Sequence, residues 1–395
     1  MKSFSVDTYL SKNNKLIIYL WFIIPFVAAI FEVAKGNGSI NNYLIFKQVF
    51  WHTYNEQHLY NLYPSEYLDK NHYGPLFSVI ILPFALLPNY IGATLWCLCN
   101  VFVLFFAVNE LEITQKSKNL IFTISLIETL TSVQNMQFNP MLTGWIILAY
   151  VAVKKDKIVI ATLLICLGTF VKIYGIVGLP FIFFTKDRIK FISYIFLWAV
   201  VLTLLPMIIS SPEFILKTYK DWFLVLVEKN MQNITSYQNE GMTDISIMGL
   251  FKRITGFHHI SNIYFLVPGA IFMILPLFRF SKNQNNVFQL TYLAQILIGL
   301  VIFSTSSESP TYVIAVTGFS IWYILDCNTR RKYKNTLLIL LFVLTILSPT
   351  DLFPKYLKEQ YVVKYSLKAL PCVITWFLIS YQLLFSKFKE TEKYA

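Results

Sequence analysis

The sequence predicts an all-α polytopic membrane protein, and three observations carry that reading. Its 395 residues are 56% hydrophobic and 17% aromatic with only 14% charged, far too apolar for a soluble chain of this length. Apolar runs recur from Trp21 to Phe385, many of them near the ~20 residues that a helix needs to cross a bilayer. Basic residues gather at alternate boundaries between those runs, the pattern of the positive-inside rule.

Taken in order, the runs lie near 16–35, 75–108, 118–133, 139–153, 157–171, 173–185, 190–210, 262–278, 287–304, 310–326, 335–349 and 362–386. They give about twelve crossings (roughly ten to thirteen) by the length criterion. The run at 75–108 is too long for one straight helix and contains Pro83 and Pro88, so it is read as a short interfacial or re-entrant piece followed by one crossing. With the N-terminus inside, 20 of the 33 basic residues fall in short inner segments, among them Lys2, Lys12, Lys154, Lys155, Arg330, Arg331, Lys334, Lys389 and Lys393. Both termini are therefore expected in the cytoplasm, with the chain as one integral membrane domain over 1–395, in a bacterial inner (plasma) membrane. The first run follows Lys15, exceeds a signal-peptide core and lacks a small-residue cleavage site, so it is expected to remain as a helix.

The net charge of +12 is thus a topology signal; dispersed over helix boundaries, it excludes a nucleic-acid-binding face. Five cysteines (Cys97, Cys99, Cys166, Cys327 and Cys372), mostly inside apolar runs and without a CxxC pair, suggest neither disulfides nor zinc. No internal repeat is evident, which argues against a transporter built from two related halves.

Polar chemistry collects on the outer side. Two long loops, about 36–74 and 211–262, lie there with short turns at 131–139, 304–310 and 350–361, and amphipathic interfacial helices are expected in the long loops. All five histidines (His52, His58, His72, His258 and His259) are in these loops, yet none has the i, i+4 spacing of a helical zinc motif. No acidic pair suited to a metal appears there, and neither metal nor cofactor is expected.

Several short motifs occur in a telling order: the stretch from Asn41 to Phe77, a Pro-rich LPFALLP, then Gly92, Leu95, Trp96 and Asn100 as GxxLWxxxN. QNMQFNP (Gln134–Pro140) follows at an outer turn, VKIYG (Val171–Gly175) between two apolar runs, and SSESPTY (Ser306–Tyr312) at a late outer turn. In these residues, spread over roughly 20–320, the sequence resembles glycosyltransferase family 87, mannosyltransferase-like membrane enzymes of the GT-C class. The resemblance implies a GT-C-like bundle and a polyprenyl-phosphate sugar donor lying in the bilayer. It also implies transfer of a hexose, mannose first, with inversion, to a glycan, glycolipid or other hydroxyl acceptor outside. It places HYGPLF, with His72 and Tyr73, at the entry to the site; Tyr174 of VKIYG and His258 of the second loop are further candidates for substrate contact.

The residues make chemical sense of a lipid phosphate. Lys172 lies between apolar runs, where an ammonium costs several kcal/mol unless it faces a polar cavity or an anion. Lys47, Lys252 and Arg253 are further candidates for phosphate, and the amides of Gln137 and Asn139 suit sugar hydroxyls as donors and acceptors. At one position the pattern fails. The family is expected to place an acidic general base about seventeen residues before Leu59-Tyr60, and this chain has Asn42 there. An amide carbonyl is too weak a base to take the acceptor's proton. Three explanations stand: another outer carboxylate serves (Glu308 or Glu66 first, then Asp69 and Glu56), Asn42 acts as a positioner, or the chain binds lipid-linked sugar without transferring it. A transporter or lipid-handling protein is the rival outside the family. Glu32 and Glu128, near outer ends of apolar runs, each call for a partner.

Overall fold

The computed structural model describes residues 14–235, 243–279, 282, 284–326 and 329–388. Lys2, Lys12, Cys327, Lys389 and Lys393 lie outside them. Every regular element among the described residues is helical. In chain order the helices are α1 (Asn14–Ala34), α2 (Asn41–Tyr54), α3 (Phe77–Ala85), α4 (Asn89–Asn109), α5 (Gln115–Gln134), α6 (Asn139–Lys154) and α7 (Ile158–Lys172). After a 3-10 stretch at Tyr174–Phe183 come α8 (Arg188–Leu204), α9 (Pro212–Thr235), α10 (Ile247–Thr255) and α11 (Ile263–Ile274). The last are α12 (Asn286–Ile302), α13 (Tyr312–Leu325), α14 (Arg331–Leu340), which runs on as a π turn over Leu341–Leu347, and α15 (Leu370–Phe385).

Among the described residues, four helical stretches are long and apolar enough to cross a bilayer: Asn14–Ala34, Asn89–Asn109, Arg188–Ile208 and Leu367–Phe385. Shorter apolar helices include α7, α12 and the stretches Ile263–Phe278 and Ser309–Leu325. The pattern of exposure is that of a membrane protein. On α1, Trp21, Pro25, Ala29 and Glu32 are buried, while Ile23, Phe26, Val27, Ile30 and Phe31 are exposed on the other side. An apolar stripe turned outward is stable only where the surroundings are apolar too. Glu32 meets Lys35 one turn on, at 2.7 Å.

The chain forms two compact units. The first comprises Ile18–Leu111 and Thr129–Lys229, the second Met1–Ile17, Glu112–Glu128 and Asn230–Ala395. In the first, the long run at 75–108 divides, as its prolines require, into nine-residue α3 and α4, with Pro88 as the N-cap of α4. The break strands the Leu87 carbonyl, and Lys47 of α2 answers it: Nζ donates to Leu87 O at 2.9 Å and Asn89 Oδ1 at 2.8 Å. α2 packs into this unit through Tyr43, Phe46, Val49, Phe50, His52 and Thr53, all buried.

In the second unit α12 and α13 are buried along almost their whole lengths, with α15 packed against them. Polar side chains in this core find one another: Gln295 donates to Ser380 at 2.9 Å, and Trp322 donates to Gln382 at 3.0 Å. Helix ends are set locally. Asp187, Ser246 and Asn285 accept N–H bonds as N-caps of α8, α10 and α12, and Gly256 at φ +76° ends α10.

Candidate active site

In the first unit, motifs far apart in sequence converge on one cation. Phe46 of α2, Tyr73 and Phe77 of HYGPLF, Trp96 of α4 and Phe138 of the 134–140 turn form an aromatic cluster with centroids 4.7–6.1 Å apart. The Trp96 indole donates to Met136 O at 2.9 Å, and Met136 holds a left-handed φ of +52°, which turns the chain sharply into α6. α6 opens with buried Asn139, whose Oδ1 accepts from Lys172 Nζ at 2.8 Å. The same ammonium lies 5.5 Å from the Tyr73 ring centroid and 5.3 Å from that of Tyr174. The amide oxygen and the two ring faces hold the ammonium in position.

Backbone contact makes the arrangement possible. α7 ends where Ile173 turns left-handed at φ +50°, exposing the carbonyls of its last turn. Gly74 N–H donates to one of them, Val171 O, at 3.0 Å. A Cβ on Gly74 would stand 2.1 Å from Phe170 O, so only glycine lets this loop lie on the helix end and bring Tyr73 to Lys172. Gly74→Ala is accordingly expected to destabilise the protein by about 1–3 kcal/mol. Thermal unfolding in detergent would read this, and an unchanged midpoint would refute the close approach.

The rest of the first loop is tied down by α2. Asn41 clamps Leu68 through two bonds of 2.7 Å, and Asn42 Nδ2 donates to Asn135 O at 2.8 Å, joining α2 to the 134–140 turn. Asn42 therefore uses its amide N–H, which a carboxylate lacks. Glu66 is largely exposed and its Oε2 lies 2.8 Å from Nε2 of buried His52, whose ring is 4.2 Å from that of Tyr63. Burial lowers the His52 pKa against the opposing pull of Glu66. His72 is half-buried; burial and Lys229 push its imidazole down to about 4, leaving it neutral at pH 7, and its carbonyl accepts from Trp222 at 2.9 Å. Asp69 is exposed at φ +77° and accepts from Lys70 N–H at 2.7 Å, while Gln137 closes its turn by donating to Ser132 O at 3.0 Å. Glu56 accepts from Ser211 N–H at 3.0 Å, which holds its carboxyl below the usual range.

The second unit builds a different group around SSESPTY. Glu308 is half-buried and extended at the head of the turn that leads into α13, its N–H donating to Thr311 Oγ1 at 3.4 Å. Neighbouring segments fasten the turn: Ile245 N–H donates to Ser307 O at 2.9 Å, Tyr312 OH donates to Ile245 O at 2.8 Å, and Asn233 donates to Ser306 Oγ at 2.9 Å. Beneath it lies an ion pair that no motif announces. Lys368 Nζ contacts Glu128 Oε1 at 2.8 Å and Ser309 Oγ at 3.0 Å, and both charged side chains are buried. Lys252 is also buried, its Nζ donating to Asn262 Oδ1 at 2.6 Å, with burial lowering its pKa. Arg253 is held by Ser366 and by Thr243 O at 2.9 Å, and His258 is exposed. Among the described residues no three His, Cys, Asp or Glu side chains are grouped to hold a metal ion.

The profile of Glycosyltransferase family 87 matches residues 71–349. The chain belongs to glycosyltransferase family 87. Within that match fall HYGPLF, GxxLWxxxN, QNMQFNP, VKIYG and SSESPTY, whereas Asn42, Lys47, Glu66 and Asp69 precede it and Lys368 follows it. The sequence matches no curated protein. Among solved structures, the crystal structure of ArnT from Cupriavidus metallidurans bound to undecaprenyl phosphate is similar at 12% identity. The TM-score is 0.36, over 96% of this chain and 78% of that one. As a multi-pass membrane member of family 87, the chain gathers residues of three of its motifs about Lys172 and those of a fourth about Ser309 and Glu308.

Proposed function

We propose that this chain is a GT-C-type enzyme that moves a hexose, mannose first, from a polyprenyl-phosphate donor to a hydroxyl acceptor at the outer face of a bacterial plasma membrane. It acts as one integral membrane domain of about twelve crossings with both termini in the cytoplasm. The observation that carries this reading is the seating of Lys172 by Asn139, Tyr73 and Tyr174. A phosphodiester donor bears one negative charge. When its C1–O bond breaks, polyprenyl phosphate departs as a monoester with a second negative charge developing, and a cation already in place stabilises that state more than the ground state. The acceptor oxygen bonds to C1 from the opposite face, inverting it, and its proton passes to a carboxylate. Glu66, oriented by His52, and Glu308, at the head of the fastened turn, are the two carboxylates for that role; Asp69 is a third. Lys47, Lys252, Arg253, His72 and His258 are secondary donor contacts, and Gln137 and Asn139 serve sugar hydroxyls.

Purified protein in lipid, given radiolabelled polyprenyl-phosphate mannose and a membrane extract as acceptor source, should release labelled product. Glu66→Gln or Glu308→Gln, whichever removes the base, should cut turnover by about 10²–10⁴-fold. Neither donor binding nor transfer, across mannose and other hexose donors, would refute the enzyme. Asn42 at the expected acidic position favours a second reading, a family member that binds lipid-linked sugar without transferring it. Donor binding with no transfer would select that reading.

A further inference from the structure

At the end of α13 remote from Glu308, the second unit holds a cavity of about 560 Å³ whose lining includes Tyr323, Asp326, Arg330, Arg331, Lys334 and Asn335. Three cations thus share the lining with one carboxylate, and that carboxylate is largely buried. Asp326 is 9% exposed, and its Oδ1 accepts from Gln382 Nε2 at 3.0 Å and from Thr329 N–H at 3.2 Å. Lys334 is held in place: its Nζ donates to Asp326 O at 2.7 Å and lies 4.8 Å from the Tyr323 ring centroid. Tyr323 OH donates to Asn335 Oδ1 at 2.9 Å, which leaves the amide Nδ2 of Asn335 as a donor. α14 opens at this cavity, and Arg330 gives it no side-chain cap, so the first-turn N–H groups add the positive end of a helix dipole. Guanidinium groups, an ammonium, an amide and backbone N–H donors around one space fit an anion with several acceptor oxygens, such as a phosphate.

A second feature identifies what carries the phosphate. Past the cavity, α14 and its π turn expose Ile339, Phe342 and Val343, at 62%, 47% and 37%, spaced three and four residues apart on one face. An apolar stripe leading away from a phosphate site suits acyl chains. We propose that this cavity binds the phosphate of an anionic phospholipid of the inner leaflet, with the lipid's chains lying along α14. The choice of the inner leaflet rests on the proposed cytoplasmic termini, whereas binding of the lipid does not depend on the donor chemistry.

Native mass spectrometry of the full-length protein with equimolar phosphatidylglycerol and phosphatidylcholine would test the proposal. Wild type should retain phosphatidylglycerol preferentially, and Arg331→Gln and Lys334→Gln should each reduce that preference about fivefold. Arg331→Lys with Lys334→Arg, which keeps the charge, should retain most of it, and Lys186→Gln in another basic loop should leave it unchanged. Melting temperatures of all variants, measured alongside, separate lost binding from lost folding. Equal retention of the two lipids by wild type would overturn the proposal, as would a preference that the Arg331 and Lys334 variants do not move. Displacement of the lipid by chain-free glycerol phosphate at equal concentration would make this a soluble phosphate-ester site and overturn the lipid assignment.

Discussion

Lys172→Met is expected to lower kcat/KM for sugar transfer by about 10²–10³-fold while leaving the protein folded. The side chain grows from the last turn of α7, follows buried Val171, and is steered by one amide and two aromatic rings. Methionine can fill the space between those rings, so packing survives and the charge is what disappears. If the ammonium meets the charge that develops on the leaving phosphate, the loss falls mainly on kcat, because the ground-state diester carries only part of that charge. Lys172→Arg should not rescue fully: a planar fork cannot place its donors on the single Asn139 oxygen and keep the same position between the rings. Asn139→Ala should give a smaller loss, since the cation stays but loses its guide. Initial rates over a range of donor concentrations would separate these outcomes. A Lys172→Met enzyme within threefold of wild type would remove Lys172 from the mechanism and with it the main support for the proposed donor chemistry.

Much of this arrangement could be read from the sequence because its signals are local or ordered. Pro83 and Pro88 foretell the break between α3 and α4, and the order of short motifs foretells the family. What the sequence could not reveal was which motif residues touch. That Asn139, Tyr73 and Tyr174 share one lysine depends on the backbone contact at Gly74 and the left-handed Ile173, and neither has a signature beyond the residue type at Gly74. Asn42 is a similar case. In sequence it is an acid gone missing, whereas in the structure its amide N–H bridges to Asn135, so Asn42→Asp would set a carboxylate against a carbonyl oxygen. Lys47, proposed as a phosphate contact, also has bonds to the carbonyl of Leu87 and to Asn89 at the helix break, a link that no motif foretells. Glu128 was legible as an acid in need of a partner. Its partner was not singled out: the last apolar run holds two bases, Lys364 and Lys368, and the sequence does not say which of them meets the lone acid of the 118–133 run.

That pair supplies the other large effect. Lys368→Met should destabilise the protein by about 3–5 kcal/mol, because it leaves the Glu128 carboxylate buried without its cation. Among the described residues Glu128 Oε2 finds no hydrogen-bond partner, so none of them offers the carboxylate a second contact there. Glu128→Gln should cost comparably by leaving the Lys368 ammonium with neutral partners alone: the new amide oxygen, Ser309 Oγ and the face of Tyr312, 5.0 Å from its centroid. The double replacement, which buries no charge, should be much nearer wild type than either single one, since a buried pair replaced by neutral groups is often close to neutral in stability. A double-mutant cycle on thermal or denaturant unfolding in one detergent would expose this coupling. Single losses that simply add in the double variant would show that the two side chains do not act as a pair. Transfer assays on the double variant then ask a separate question. If the pair serves only folding, its rate should match wild type; if Lys368 also steadies the turn that carries Glu308, the folded double variant should still transfer more slowly, since Ser309 has lost its donor.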